Sequence, residues 1–272
     1  MTLIEIIGFI SAAIIGISLG LIGGGGSILT VPVLVYLLGV NPVTATAYSL
    51  FIVGFSSLLG GVNYARKGLV NYKTGIVFTI PAFISVYLTR LLLVPALPDT
   101  FFTINGFEFT KSIGIMVLFA LLMIAASYSM IKDRKELKKE LKDVDAPKKF
   151  NYPLIIIEGV VVGALTGLVG AGGGFLIIPA LVILAKLPMK EAVGTSLLII
   201  AAKSLIGFIG DIQSGGDIDW AFLGVFTVIA ASGIYIGSFL STKVDGQKLK
   251  KGFGWFVLIM GSFMIYKELF MQ

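Results

Sequence analysis

Ten long apolar runs, separated by short polar stretches, account for most of the chain. That arrangement leaves few possible folds. Hydrocarbon offers no hydrogen-bond partner, so only α-helices and closed β-barrels cross it. Barrel strands read as alternating segments of about 10 residues. Most runs here are continuously apolar over roughly 20, the length a spanning helix needs. The sequence therefore predicts an all-α, polytopic membrane protein. The runs are 3–22, 28–38, 43–65, 74–94, 112–131, 153–169, 175–185, 191–212, 220–240 and 252–270. The second and seventh hold about 11 residues and reach roughly 16 Å at 1.5 Å per residue, half the hydrocarbon core. They are too short to cross as straight helices, and whether each re-enters or crosses stays open at this point.

Composition narrows the function. The chain is 57% hydrophobic and 13% charged, about half the charged share of a soluble domain. It has no cysteine and no histidine. That removes disulfides, thiolate and imidazole metal sites, haem attachment and the nucleophile machinery built on Cys or His. No cofactor and no metal are expected, and the chain is not expected to be an enzyme. The net charge of +6 fits basic cytosolic loops and gives no reason to invoke nucleic acid. The opening "MTLIEIIGFI" has no basic region and no cleavage pattern, and reads as a first span rather than a signal peptide.

The two halves of the sequence are copies. A shift of 147 positions carries Gly16 onto Gly163, Gly20 onto Gly167, Gly23 onto Gly170, Gly26 onto Gly173 and Pro32 onto Pro179. The register continues through Ser49 and Ser196, then Gly60 and Gly207, and with one further residue aligns "VNYKTG" with "IDWAFLG". Shared hydrophobicity cannot match glycines and prolines, so an internal duplication is expected. Its parts are a first repeat at 1–131, a charged linker at 132–152 and a second repeat at 153–272. The linker holds eight Lys/Arg and five Asp/Glu between Lys132 and Lys149, a solvated stretch placed in the cytoplasm by the positive-inside rule. The loop with Arg66, Lys67 and Lys73 is basic, while its copy "GDIQSGGDIDW" is acidic. The halves are then oppositely oriented, with both termini outside a cell (inner or plasma) membrane.

Each half breaks an apolar run with glycines, "LIGGGGSILTVP" and "LVGAGGGFLIIP". Paired interruptions in an inverted repeat are the best sequence pointer to a transporter's binding site. Half-helices starting near Ser27 and Gly174 would aim free N–H groups and positive dipole ends at the centre. Two facing each other would cradle an anion. The candidate substrate-binding residues are Gly23, Gly24, Gly25, Gly26, Ser27, Gly172, Gly173 and Gly174, with hydroxyls from Thr46, Ser49, Thr195 and Ser196; Thr30 is a further donor. By contrast, Gly159, Gly163 and Gly167 recur once per turn, the pattern of close helix packing. No lysine followed by Ser/Thr succeeds either glycine run, which excludes a nucleotide-binding P-loop.

Lys203 completes the set. It lies near mid-membrane in "SLLIIAAKSLIGF", where a charge costs about 2.5–3.5 kcal/mol on insertion scales. No acid lies mid-span to pair with it, so contact with a substrate anion is the preferred role. Its counterpart in the first half is Ser56. Arg90, near the end of the fourth run, is read as interfacial. Glu191 begins a helix as an ordinary dipole partner. Proton coupling through it, Glu5, Glu158 or Asp211 is disfavoured.

These residues carry a resemblance. "GLIGGGGSILTVPVLVYLLG" with "VTATAYSL", and "GLVGAGGGFLIIPALVILA" with "EAVGTSLLIIAAKSLIGFIGD", resemble the TauE/SafE (TSUP) family of sulfite exporters and organosulfur-anion permeases. The likeness covers nearly the whole chain and extends to "GDIDW" and "GIYIGSFLSTKV". It implies a transporter of sulfite, thiosulfate or a small sulfonate. Tyr48 stands where the family usually has a small hydroxyl residue, and Lys203 where a neutral polar residue is common. Both positions lie in the suspected site, so the resemblance speaks for anion transport more than for one anion. The expectation is a secondary-active permease working by alternating access, with a small anion and the lipid bilayer as partners. A passive anion channel, a permease for another small organic anion and a homo-oligomer remain open.

Overall fold

The computed structural model describes residues 3–104, 107–131, 152–183, 185, 187–215, 217–240 and 246–271. Nearly all of the linker, 132–151, lies outside the described residues. Among the described residues, ten helical elements follow the ten apolar runs. They are α1 (Leu3–Ile22), α2 (Gly23–Leu37), α3 (Pro42–Arg66), α4 (Tyr72–Ala96), α5 (Lys111–Ile131), α6 (Tyr152–Val169), α7 (Gly174–Ile183), α8 (Met189–Gln213), α9 (Trp220–Leu240) and α10 (Gly246–Phe270). Six of them, α3, α4, α5, α8, α9 and α10, are long and apolar enough to cross a membrane.

The short runs turn back beside the helices that precede them. Gly26 of α2 faces Ser18 and Leu19, and Gly8 faces Leu38. α2 therefore returns beside α1 and leaves from the end at which α1 began. In the second half α6 advances along α4, and α7 turns back so that Ile178 sits beside Gly23, which also touches Val193 near the start of α8. α2 is irregular: Gly23–Leu29 is 3₁₀, Thr30–Pro32 is α and Val33–Leu37 is π. Proline alone does not account for this change in winding, because Pro179 holds the matching place in the second half. The copy, α7, is regular α-helix from Gly174.

α3 and α8 run antiparallel through the centre, with 72% and 67% of their spans buried against 22% for α10. Lipid is as apolar as leucine, so helices associate here through close approach of small residues. Residues 147 or 148 apart make matching contacts. Gly16 of α1 faces Ala230 and Gly233 of α9, and Gly163 of α6 faces Ala82 and Ser85 of α4. Gly20 faces Ile234 and Gly237, while Gly167 faces Val86 and Thr89. Gly60 packs on Ile234 and Leu197, and Gly207 on Val86 and Leu50. In every case the partners exchange halves. The once-per-turn glycines at 159, 163 and 167 serve packing, as their spacing predicts.

Loops carry their own chemistry. Asn71 caps α4, its side chain accepting from the Thr74 N–H at 3.0 Å, and Asp219 does the same for Phe222 at the start of α9. Asn71→Ala should lower unfolding stability by about 1 kcal/mol, read as a shifted melting temperature in detergent. Between α4 and α5 a short antiparallel pair, β1 (Thr100–Ile104) and β2 (Phe107–Thr110), stacks Phe102 on Phe109 at 4.9 Å. The helical reading of the sequence did not include it, although Asn-Gly between alternating aromatics is a hairpin signal.

Candidate anion site

The two glycine breaks meet in the middle of the molecule. A Cβ on Gly24 would collide with the backbone of Gly174, and one on Gly174 with Gly24. The Ser27 hydroxyl donates to the Gly24 carbonyl at 2.7 Å and to the Ala171 carbonyl of the opposite break. Gly23, Gly170, Gly172 and Gly173 have φ of 72°, 71°, 62° and 71°. That left-handed backbone is open to glycine at little cost, which accounts for these four positions, while Gly24, Gly26 and Gly174 are held to glycine by close contacts. The meeting point itself is closed: backbone touches backbone, and Ser27 spends its proton on carbonyls.

Chemistry gathers beside the second break. Lys203 is fully buried in α8, and its Nζ donates to Thr166 Oγ1 of α6 at 2.6 Å. The same ammonium lies 3.1 Å from where a Cβ on Gly173 would stand. No carboxylate among the described residues lies within 4.0 Å of it; the two ion pairs there are Arg90–Asp211 and Lys111–Asp99. At the start of α7 the amides of Leu176 and Ile177 both use the Gly173 carbonyl. A helix start leaves its first amides, here Gly174 and Phe175, without an acceptor in their own helix. A buried cation, a hydroxyl and the positive end of a half-helix thus converge on Gly173–Gly174.

One turn beyond, Gly170 presses on Thr46. Thr46 is buried, donates to the Val43 carbonyl at 2.7 Å and accepts from Arg90 Nη1 at 3.0 Å. Arg90 is therefore not interfacial. It is completely buried and also pairs through Nη1 with Asp211 Oδ1 at 3.3 Å. Depth along α4 suggested an interface; its face, turned toward α8, decides otherwise. Thr166, Arg90 and Asp211 are the polar residues that sequence reasoning missed or set aside.

The other candidates divide. Ser49 and Thr30 are buried with hydroxyls that have no partner among the described residues. Ser196 bonds back to the Val193 carbonyl at 2.8 Å inside its own helix. Thr195 accepts from the Asn71 N–H at 2.9 Å, at the end of the molecule away from Arg90. Tyr48 is a structural tie: its hydroxyl accepts from the Asp219 N–H at 2.7 Å and its ring lies 6.0 Å from Phe222. Gly25 lies inside the 3₁₀ run of the first break.

Two helix pairs broken at glycine runs, packed among six helices long and apolar enough to cross a membrane and set beside a buried cation, are the arrangement the comparisons place among membrane transporters. The chain belongs to the sulfite exporter TauE/SafE family, whose model matches residues 8–264. It is 28% identical over 268 residues to a probable membrane transporter protein of Xylella fastidiosa (strain Temecula1 / ATCC 700964), covering 95% of this chain and 94% of that one. It is 28% identical to the probable membrane transporter protein YunE of Bacillus subtilis (strain 168), covering 96% and 99%. A third relative, the probable membrane transporter protein MJ0441 of Methanocaldococcus jannaschii, is 27% identical with 97% and 95% covered. No solved structure matches significantly.

Proposed function

We propose that this protein is a secondary-active permease for a small sulfur-containing oxyanion such as sulfite, thiosulfate or a small sulfonate. The observation that carries the reading is Lys203: a buried ammonium with a hydroxyl partner and no carboxylate partner among the described residues, set against the glycine break of a half-helix. An unpaired buried cation is costly, and an anionic passenger removes that cost. Two-oxygen and three-oxygen anions also suit the amide ends of a broken helix. The family's description as sulfite exporters agrees in charge and size.

The matched contacts of residues 147 or 148 apart support two inverted repeats that rock about the paired breaks. Loop charges support a cytoplasmic linker and outside termini. No ATP-binding motif occurs in the sequence, so an ion gradient or the anion's own gradient drives the cycle. A negative-inside potential favours anion exit by about 2.3 kcal/mol per charge per 100 mV. The chain works as a carrier, not as an enzyme.

The test is uptake of labelled sulfite, thiosulfate, sulfate and sulfoacetate into proteoliposomes. Saturable uptake of a sulfur oxyanion, accelerated by the same anion preloaded inside, is the expected result. Flux that rises linearly and ignores preloading would make the protein a channel. Absence of flux for every anion would overturn the reading.

A further inference from the structure

Arg90 carries an unused binding edge. Its Nη1 makes both of its contacts, to Thr46 Oγ1 and Asp211 Oδ1, while Nε and Nη2 are buried without a hydrogen-bond partner among the described residues. Those two nitrogens lie along one edge of the planar guanidinium. Their N–H bonds run parallel, the fork that takes two oxygens of a single oxyanion. Asp211 does not exploit the fork. It reaches a different nitrogen through one oxygen at 3.3 Å, and its Oδ2 has no partner.

A permanent structural pair would be expected to close bidentately, because a buried guanidinium left half satisfied is costly. The surroundings point the same way. Arg90 sits behind the Gly170 turn through Thr46, and Asp211 is on α8, eight residues or about 12 Å from Lys203 along the same helix. Gly207 and Gly210, between them, face Val86 and Arg90 of α4. Residues 203, 207, 210 and 211 thus share one face of α8, packed on α4 at 207 and 210 and reaching the second break at Lys203.

We propose that Arg90 is a second oxyanion-binding station, in series with Lys203, and that Asp211 is an internal carboxylate that holds the arginine while the station is empty. The inference rests on the anion-permease reading above. Arg90 is wholly enclosed here, so the station is shut; separation of α4 from α8 opens the fork, and the arriving anion takes it in place of the weak contact to Asp211.

Sulfite uptake into proteoliposomes should be compared for wild type, Asp211→Asn, Arg90→Lys and the neutral pair Arg90→Gln/Asp211→Asn, with melting temperatures alongside. Asp211→Asn removes the internal competitor and should lower KM roughly fivefold. Arg90→Lys keeps the charge but loses the fork, and should raise KM for sulfite roughly tenfold while inhibition by chloride, a single-atom anion, is unchanged. The neutral pair leaves no buried charge to destabilise the fold and should keep the raised KM. Wild-type KM in the neutral pair, or an unchanged KM in Arg90→Lys, would reduce Arg90–Asp211 to a structural pair and overturn the proposal. Either result leaves the permease reading standing, because wild-type uptake measures that separately. Absence of wild-type uptake removes both.

Discussion

Lys203→Met should abolish most transport and yet make the protein more stable. Methionine keeps the unbranched stem and its packing against α6, and removes only the ammonium. In the resting protein that ammonium has one hydroxyl partner and no carboxylate among the described residues. Replacing it by an apolar group of similar shape should gain about 2 kcal/mol, set against the 2.5–3.5 kcal/mol cost of a mid-membrane charge. Transport should move the opposite way. Losing the charged partner of a bound anion costs about 2–5 kcal/mol, so kcat/KM should fall roughly 30-fold to several-thousand-fold. The measurements are a thermal melt in detergent and initial uptake rates. A variant that melts lower while transporting normally would mark Lys203 as a structural residue.

The glycine at the meeting point should not be replaceable even by alanine. Gly174 has ordinary helical backbone, so alanine there is conformationally acceptable and would favour α7 by about 1 kcal/mol on propensity alone. The Cβ, however, would enter the backbone of Gly24, and neither break can retreat without unseating the Ser27 bridge to Ala171. Overpacking of this kind costs about 1–3 kcal/mol, which exceeds the propensity gain. Gly174→Ala is therefore expected to lower the melting temperature and to abolish transport. Gly224→Ala supplies the contrast: it lies in α9 with open space around it, and should stabilise by about 0.5–1 kcal/mol. If the two substitutions behave alike, contact between the breaks contributes nothing.

The parts of this fold legible in the sequence are those set by one dimension. Run lengths placed all ten helices, because hydrocarbon thickness is a length. The once-per-turn glycines announced helix packing, and depth alone singled out Lys203. What stayed hidden depends on azimuth and on distant partners. Arg90 looked interfacial because distance from a helix end does not reveal which face a side chain occupies; its carboxylate lies 121 positions away. Thr166 was unremarkable until Lys203 was seen to reach it from another helix. Sequence does not reveal that Ser27 and Ser196 donate to backbone carbonyls, or that Thr195 accepts from the distant Asn71 N–H. Small polar side chains near a helix break satisfy the backbone first.

The exchange of partners between halves bears on energetics. Trading the arrangements of the two halves would leave the glycine contacts chemically alike, since Gly16 on Ala230 has its image in Gly163 on Ala82. Such a pair of shapes would be nearly degenerate, and any bias between them must come from positions where the copies disagree. Lys203 against Ser56, Arg90 against Ser238 and Thr46 against Val193 are such positions. The cations proposed to hold a passenger would then also set the resting poise, tilting an otherwise balanced molecule toward one side of the bilayer.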